Sequence, residues 1–232
     1  MDFGEVVKKR RSIRKFTDKK IPEEIMREAL HHATLAPNSS NMQMWDFYWV
    51  RNPENKNKLI EACLNQSTAR MAQELVVITI NTNNWKRSLP YMRKYVDEVN
   101  APKPVKIYYH KLIPLTYRSG FFNILAPVKY LTATIAGFFR PVPRGPYTSR
   151  DLQEVCIKSA ALACENFVLS LTNHGYQTCM MEGFDEKRVK KLLKLKCGSR
   201  VVMVISAGEE LPGKGTWGEQ FRMPLHEVIH EI

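Results

Sequence analysis

The sequence predicts an α+β fold, and three observations carry that prediction. Apolar runs of strand length alternate with segments of helical period. The alternation keeps no regular strand–helix–strand rhythm, which disfavours a doubly wound parallel sheet. One late segment, residues 152–174, is long enough for a major helix and small at its middle, with Ser159, Ala160, Ala161, Ala163 and Cys164. Small side chains let another helix approach closely, so this segment is expected at the centre of the fold or at a dimer interface.

The elements follow in order. Residues 3–11 suit a short amphipathic helix with Phe3, Val6 and Val7 on one face. Ile21-Pro22-Glu23-Glu24 reads as a helix start, with proline in the first turn and acids at the positive end, running to about Ala33. Pro37, Asn38, Ser39, Ser40 and Asn41 mark a loop. Residues 46–50 alternate with large aromatics and read as a strand, residues 53–64 as a helix, and residues 75–80 as a buried Val/Ile strand. Ser149 or Asp151 is the expected cap of the long helix and Gly175 its stop. A strand at 177–181, a basic helix from Asp185 to about Lys194, and a last core strand at 201–207 complete the chain.

Residues 84–149 interrupt this regularity and hold eight of the thirteen prolines. Within them residues 120–139 form a mostly apolar run close to bilayer-spanning length. Lys129 near its middle and Pro127 argue against a membrane span and for a buried, lid-like or interface helix. Arg118 and Arg140 flank the run and leave contact with a membrane surface open.

Composition narrows the function. The chain has 232 residues, 44% hydrophobic and 25% charged, which fits one substantial core and disfavours disorder. Its net charge of +12 favours anionic partners and is spread along the chain. Five cysteines without CxxC spacing disfavour a disulfide framework or a zinc site. Asp2 and Glu5 ahead of a basic run, with no apolar h-region, predict no signal peptide and a cytoplasmic location. The densest charge is Arg10-Arg11-Ser12-Ile13-Arg14-Lys15-Phe16. Arginine forks bind phosphate through paired charge-assisted hydrogen bonds, and a serine hydroxyl adds another, so this cluster reads as an anion site.

Four segments, in this order, resemble the FMN-dependent nitroreductase family: residues 10–16, residues 36–47 (Ala36-Pro37-Asn38-Ser39-Ser40-Asn41-Met42-Gln43-Met44-Trp45-Asp46-Phe47), Met181-Glu182-Gly183-Phe184-Asp185, and the closing Arg222-Met223-Pro224-Leu225-His226-Glu227-Val228-Ile229. The resemblance covers residues 3–83 and 150–232. It implies a mixed, mainly antiparallel sheet flanked by helices, one domain over residues 1–232 with a family-variable insertion or lid at 84–149, and a homodimer with FMN at the subunit interface.

The resemblance also implies roles. Arg10, Ser12 and Arg222 match the ligands of the FMN phosphate, Arg11 either shares this task or faces solvent, and Arg14 matches the residue near flavin N1 and O2. Asn38, Ser39, Ser40, Asn41 and Gln43 match a loop that reaches the cofactor from the partner subunit. Met180, Met181, Glu182 and Gly183 match the strand end against the flavin, with the Glu182 backbone N–H toward N5. The implied activity is an oxidoreductase: NAD(P)H gives a hydride to flavin N5, and a small planar acceptor such as a nitroaromatic or quinone takes it by ping-pong. Reductive dehalogenation and flavin modification are activities of the same fold, and a basic nucleic-acid or anionic-membrane binder is the reading from another class. Nucleic-acid motifs and metal-ligand spacings are lacking.

The sequence departs from the family at Met44, where many members have proline, and this predicts a less rigid loop. Gln66 and Arg70 are candidates for the Asn and Lys that many members carry before the second strand, and Lys214 for a second cation beside Arg222. Trp45 and Phe47 are expected in the core, His31 and His32 on a helix surface, Cys179 as a buried thiol, and Lys187 to Lys194 as a solvated face. Trp85, Tyr91, Tyr117, Phe121 and Phe122 are expected to shape an acceptor pocket.

Overall fold

The computed structural model describes residues 1–118, 120 and 123–232. Phe121 and Phe122 lie outside the described residues. The sheet has four strands in the order β1-β2-β4-β3: β1 (Trp45–Trp49), β2 (Glu74–Asn81), β3 (Gln177–Met181) and β4 (Ser199–Gly208). Every neighbouring pair of these strands is antiparallel. The parallel contribution is one isolated bridge, Ser12 with Thr178.

β2 is central and buried on both faces, which is why its sequence is continuously apolar rather than alternating. Val76, Ile78 and Ile80 point into one core with Ile205 and Ala207, while Leu75 and Val77 point into the other with Val201 and Val204. On the first face lie α2 (Glu23–Thr34) and the long α9 (Ser149–Asn173), whose Ala160, Ala163 and Cys164 are buried in the core. The small middle of α9 therefore serves close packing within the chain. On the second face α3 (Pro53–Ala62), α4 (Ser67–Met71) and α10 (Glu186–Leu192) cover Ile13 and Phe16. α9 is, among the described residues, the helix long and apolar enough to cross a membrane, and it is the core helix of this fold.

Several expectations need correction. The first helix, α1 (Phe3–Lys9), buries only Val6 on its expected face, with Phe3 and Val7 exposed. The cap of α9 is Thr148, one residue earlier than expected. Its hydroxyl accepts from Asp151 N, while the Asp151 carboxylate accepts from Tyr147 N and Thr148 N at 2.9 Å each. His32 is half-buried, with Nδ1 2.8 Å from Ser170 Oγ on α9, so it ties two helices together.

Residues 84–149 are largely helical: α5 (Trp85–Glu98), α6 (Lys103–Ile107), a π-turn (Tyr108–Leu112), α7 (Ile113–Tyr117) and α8 (Ala126–Phe139). Trp85, Leu89, Ile113 and Tyr117 join the first core. Trp85 and Tyr117 meet edge to face at 6.4 Å and are largely buried, yet both line a cavity of about 350 Å³, and Tyr91 is exposed. The apolar run at 120–139 does not give a buried helix: none of α8 is buried.

Candidate active site

The basic cluster follows α1 and is fixed by backbone pairing. Ile13 N donates to Thr178 O at 2.9 Å and Arg14 N to Gly215 O at 3.0 Å, so residues 12–14 run between β3 and the C-terminal segment. Phe16 anchors the cluster in the core against Gly208, where an added Cβ would stand 2.8 Å from the ring. Ile13 and Phe16 are buried in one core cluster while Arg14 and Lys15 between them are exposed, so the charged groups turn outward.

There Arg10, Arg11 and Arg14 line a cavity of about 220 Å³ with Ser12, Thr216, Gln220 and Arg222. Arg10, Arg11, Arg14 and Arg222 all face it, and Glu219 is the only carboxylate in this described lining. Arg10 Nε is buried without a hydrogen-bond partner, its nearest acidic group being a Glu165 carboxylate oxygen on α9 at 3.5 Å. Arg11 has a definite place: its Nη2 donates to Gly218 O at 2.6 Å. Lys214 is exposed and outside this lining.

The end of β3 does not contribute to this lining, and Glu182 lines a separate cavity with Phe184, Arg200 and Met203. Met181 is buried, Met180 half-buried, and Glu182 and Gly183 exposed. Gln66, just before α4, donates Nε2 to Gly183 O at 2.6 Å and to Cys63 O at 3.0 Å, so it belongs to this strand end. Its sequence signal was weak because the tie depends on the α3–α4 turn. Arg70 lies exposed on α4. Cys179 is buried, and burial holds its thiol above the ordinary range. Arg188, on the solvated basic helix, pairs with Glu61 and Asp185.

The polar loop makes a second group. Ser40, Asn41 and Gln43 all have φ between 44° and 56°, the left-handed region that costs a non-glycine residue energy. Internal bonds hold the loop there. Asn38 Oδ1 accepts from Gln43 N at 2.8 Å, and the Ser40 hydroxyl lies 2.6 Å from Tyr108 Oη and 3.1 Å from Tyr117 Oη. Met42 and Met44 are buried beneath it. The expected loosening at Met44 is not seen: Met44 is a core anchor, its sulfur 3.6 Å from Cys156 Sγ. Trp45 is likewise buried, and Phe47 packs against the core.

Asn41 and Gln43 line a cavity of about 500 Å³ with Arg87, Tyr91 and Met92. This is not the arginine cavity. Ser39 N is held by Ser159 Oγ at 3.3 Å, whereas Arg10 is held at Glu165. On α9 those positions are about 9 Å apart along the axis and about 120° apart around it. One chain thus brings Arg10, Arg11, Ser12, Arg14 and Arg222 together, but not with Asn38, Ser39, Ser40, Asn41 and Gln43.

The chain is similar to known proteins over nearly its whole length. Over its whole length the chain resembles the protein DrgA of Synechocystis sp., 27% identical across 99% of this chain and 95% of the relative. Among solved structures, a protein of Exiguobacterium sibiricum in complex with FMN matches with a TM-score of 0.72 at 23% identity, over 100% of this chain and 98% of the other. The NADPH:FMN oxidoreductase of Vibrio harveyi, solved with NAD+, matches with a TM-score of 0.65 at 20% identity, over 98% of this chain and 75% of the other. These structural likenesses establish the fold. The nitroreductase family model matches residues 7–209, and the chain belongs to that family.

Proposed function

We propose that the chain is an FMN-dependent NAD(P)H oxidoreductase that works as a homodimer on a nitroaromatic or quinone acceptor. The observation that carries this reading is the meeting of Arg10, Ser12 and Arg14 with Arg222, from the far end of the chain, around one cavity. Four guanidinium groups against one carboxylate, with the Ser12 hydroxyl beside them, fit a phosphate. FMN, when bound, supplies hydride exchange at flavin N5 between NAD(P)H and the acceptor, in ping-pong order.

The chain's own residues bind and orient. Arg10, Ser12 and Arg222 hold the phosphate, and Arg11, through Gly218 O, keeps the segment bearing Arg222 within reach. Arg14 places positive charge at the N1 and O2 edge of the ring, where it favours the reduced, anionic form. Gln66 fixes the carbonyl of Gly183 so that Met180, Met181 and Glu182 present a rigid backbone to the ring. Asn38, Ser39, Ser40, Asn41 and Gln43 meet the cofactor of the partner subunit. Two observations support a second copy: the polar loop and the arginines line different cavities, and the segment after Gly215 exposes Trp217, Phe221, Leu225 and Ile229. Residues 84–149 act as the insertion that shapes the acceptor pocket, with Tyr91 beside Gln43.

The test is direct. The purified chain reconstituted with FMN should be yellow, hold one flavin per chain, and be reduced by NADH or NADPH in stopped flow before an acceptor reoxidises it. A colourless protein that takes up no FMN ends this reading.

A further inference from the structure

The helix α8 is mounted with its apolar side facing out. At 100° per residue, Val128, Leu131, Ile135, Phe138 and Phe139 fall within an arc of about 100°. All five are exposed, Phe138 and Phe139 by 82% and 86%. The opposite arc is the one attached to the protein. Lys129 Nζ donates to Thr116 O and Arg118 O at 2.7 and 2.8 Å, and Gly137 sits where a Cβ would stand 2.5 Å from the Arg144 guanidinium. Thr132, beside the apolar arc, returns its hydroxyl to Val128 O and Lys129 O at 2.9 Å, so it demands nothing from outside.

The chain segment that carries this helix is basic, with acids only at its edges, Glu98 and Asp151. Residues 99–150 contain eight lysines and arginines and no aspartate or glutamate, against a net charge of +12 for the whole chain. Arg140 caps the C-terminal end of α8, and it and Arg144 are exposed.

We infer that α8 is an in-plane anchor for an anionic phospholipid bilayer. Its apolar arc enters the boundary of the acyl chains, and Arg118 and Arg140, which flank the helix, lie among the lipid phosphates. Fourteen residues make about 21 Å of helix, short of the ~30 Å hydrocarbon core, so the helix lies in the surface and does not cross. Charge favours this occupant over a symmetric α8–α8 contact with a second copy, which would set the same acid-free basic segment against itself. The inference does not depend on the flavin reading.

Sedimentation with vesicles tests it on the full chain reconstituted with FMN. Vesicles of phosphatidylcholine with about one-third phosphatidylglycerol should bind the protein at least about tenfold better than phosphatidylcholine alone, and salt should weaken the binding. The double variant Phe138→Ser/Phe139→Ser should lose about tenfold or more of that binding with unchanged thermal unfolding, since both rings are exposed. Arg140→Glu, which leaves the apolar arc intact, should lose the preference for anionic vesicles. Two results overturn the inference: equal sedimentation of wild type and both variants, or absence of vesicle binding while the phenylalanine variant turns a dimer into a monomer.

Discussion

Arg11 and Gly218, 207 positions apart, are joined by a 2.6 Å hydrogen bond from Arg11 Nη2 to the Gly218 carbonyl. It is the side-chain clasp that brings the C-terminal segment, and Arg222 with it, over the basic cluster. Arg11 is thus tied to the segment that bears Arg222, whereas, among the described residues, the Arg222 guanidinium donates only to its own neighbour, Phe221 O, at 2.7 Å. Arg11→Ala should weaken FMN binding about three- to tenfold, through loss of one exposed charge-assisted bond. Fluorescence titration of FMN measures this, and a loss as large as that of Arg10→Ala would mean that Arg11 binds the anion itself.

Arg10 and Arg222 should matter more, and selectively. Each charge-assisted hydrogen bond to a phosphate contributes about 1.5–3 kcal/mol, roughly ten- to a hundredfold in affinity. The Arg10→Ala/Arg222→Ala double variant should bind FMN at least about a hundredfold more weakly while its affinity for riboflavin, which lacks the phosphate, hardly changes. Equal losses for both flavins would move the phosphate elsewhere.

Gly208 ends β4 directly over Phe16, and a Cβ there would stand 2.8 Å from the ring and 2.9 Å from Phe16 Cβ. Both atoms belong to a fully packed core residue with no room to withdraw. Gly208→Ala should destabilise the protein by about 1–3 kcal/mol through overpacking, read from the midpoint of urea unfolding.

The thiols should divide sharply. Burial raises Cys63 to about 11 and Cys156 and Cys164 to about 12, and it raises Cys179 as well. At pH 8 these four stay protonated and shielded, and the thiolate is the reactive form. Cys197 is exposed. An aromatic disulfide reagent should therefore titrate one thiol quickly in the native protein and the other four only on unfolding, and Cys197→Ser should abolish the fast phase.

Asp151 sets a pH dependence. Its carboxylate accepts two backbone N–H groups at the start of α9, and the Thr148 backbone bond first among these holds it below the ordinary 3.8. A carboxylate with a lowered folded pKa contributes stability above its unfolded pKa and loses it as pH falls through the folded value. Asp151→Ala should cost about 1 kcal/mol, the usual worth of a helix cap, at pH 6–8. That difference should shrink below about pH 4 and vanish in stronger acid, as thermal unfolding across pH would record.

The parts of the fold written in local pattern were legible in the sequence. The buried β2, the Pro22 and Asp185 helix starts, the Gly175 stop and the strand at Gln177–Met181 follow from period and punctuation, and the structure has them. The meeting of Arg10 with Arg222 came only from the resemblance, because no local signal links residues so far apart. Gln66 at Gly183 O was out of reach for a related reason: its role lies in the direction of one side chain across the α3–α4 turn. Phe3 and α8 were misjudged because period tells which residues share a face but not whether the chain itself covers that face.

The distance along the chain between Arg10 and Arg222 also sets an order in time. During synthesis the first arginines emerge early, and 212 residues must still be added before Arg222 exists. At about 5–20 residues per second that is roughly ten to forty seconds. A nascent chain holds only half of the anion site throughout that interval. Capture of an anion through both arginines therefore waits until Arg222 has been made, and a chain cut short before Arg222 should fold its sheet yet fail to retain flavin.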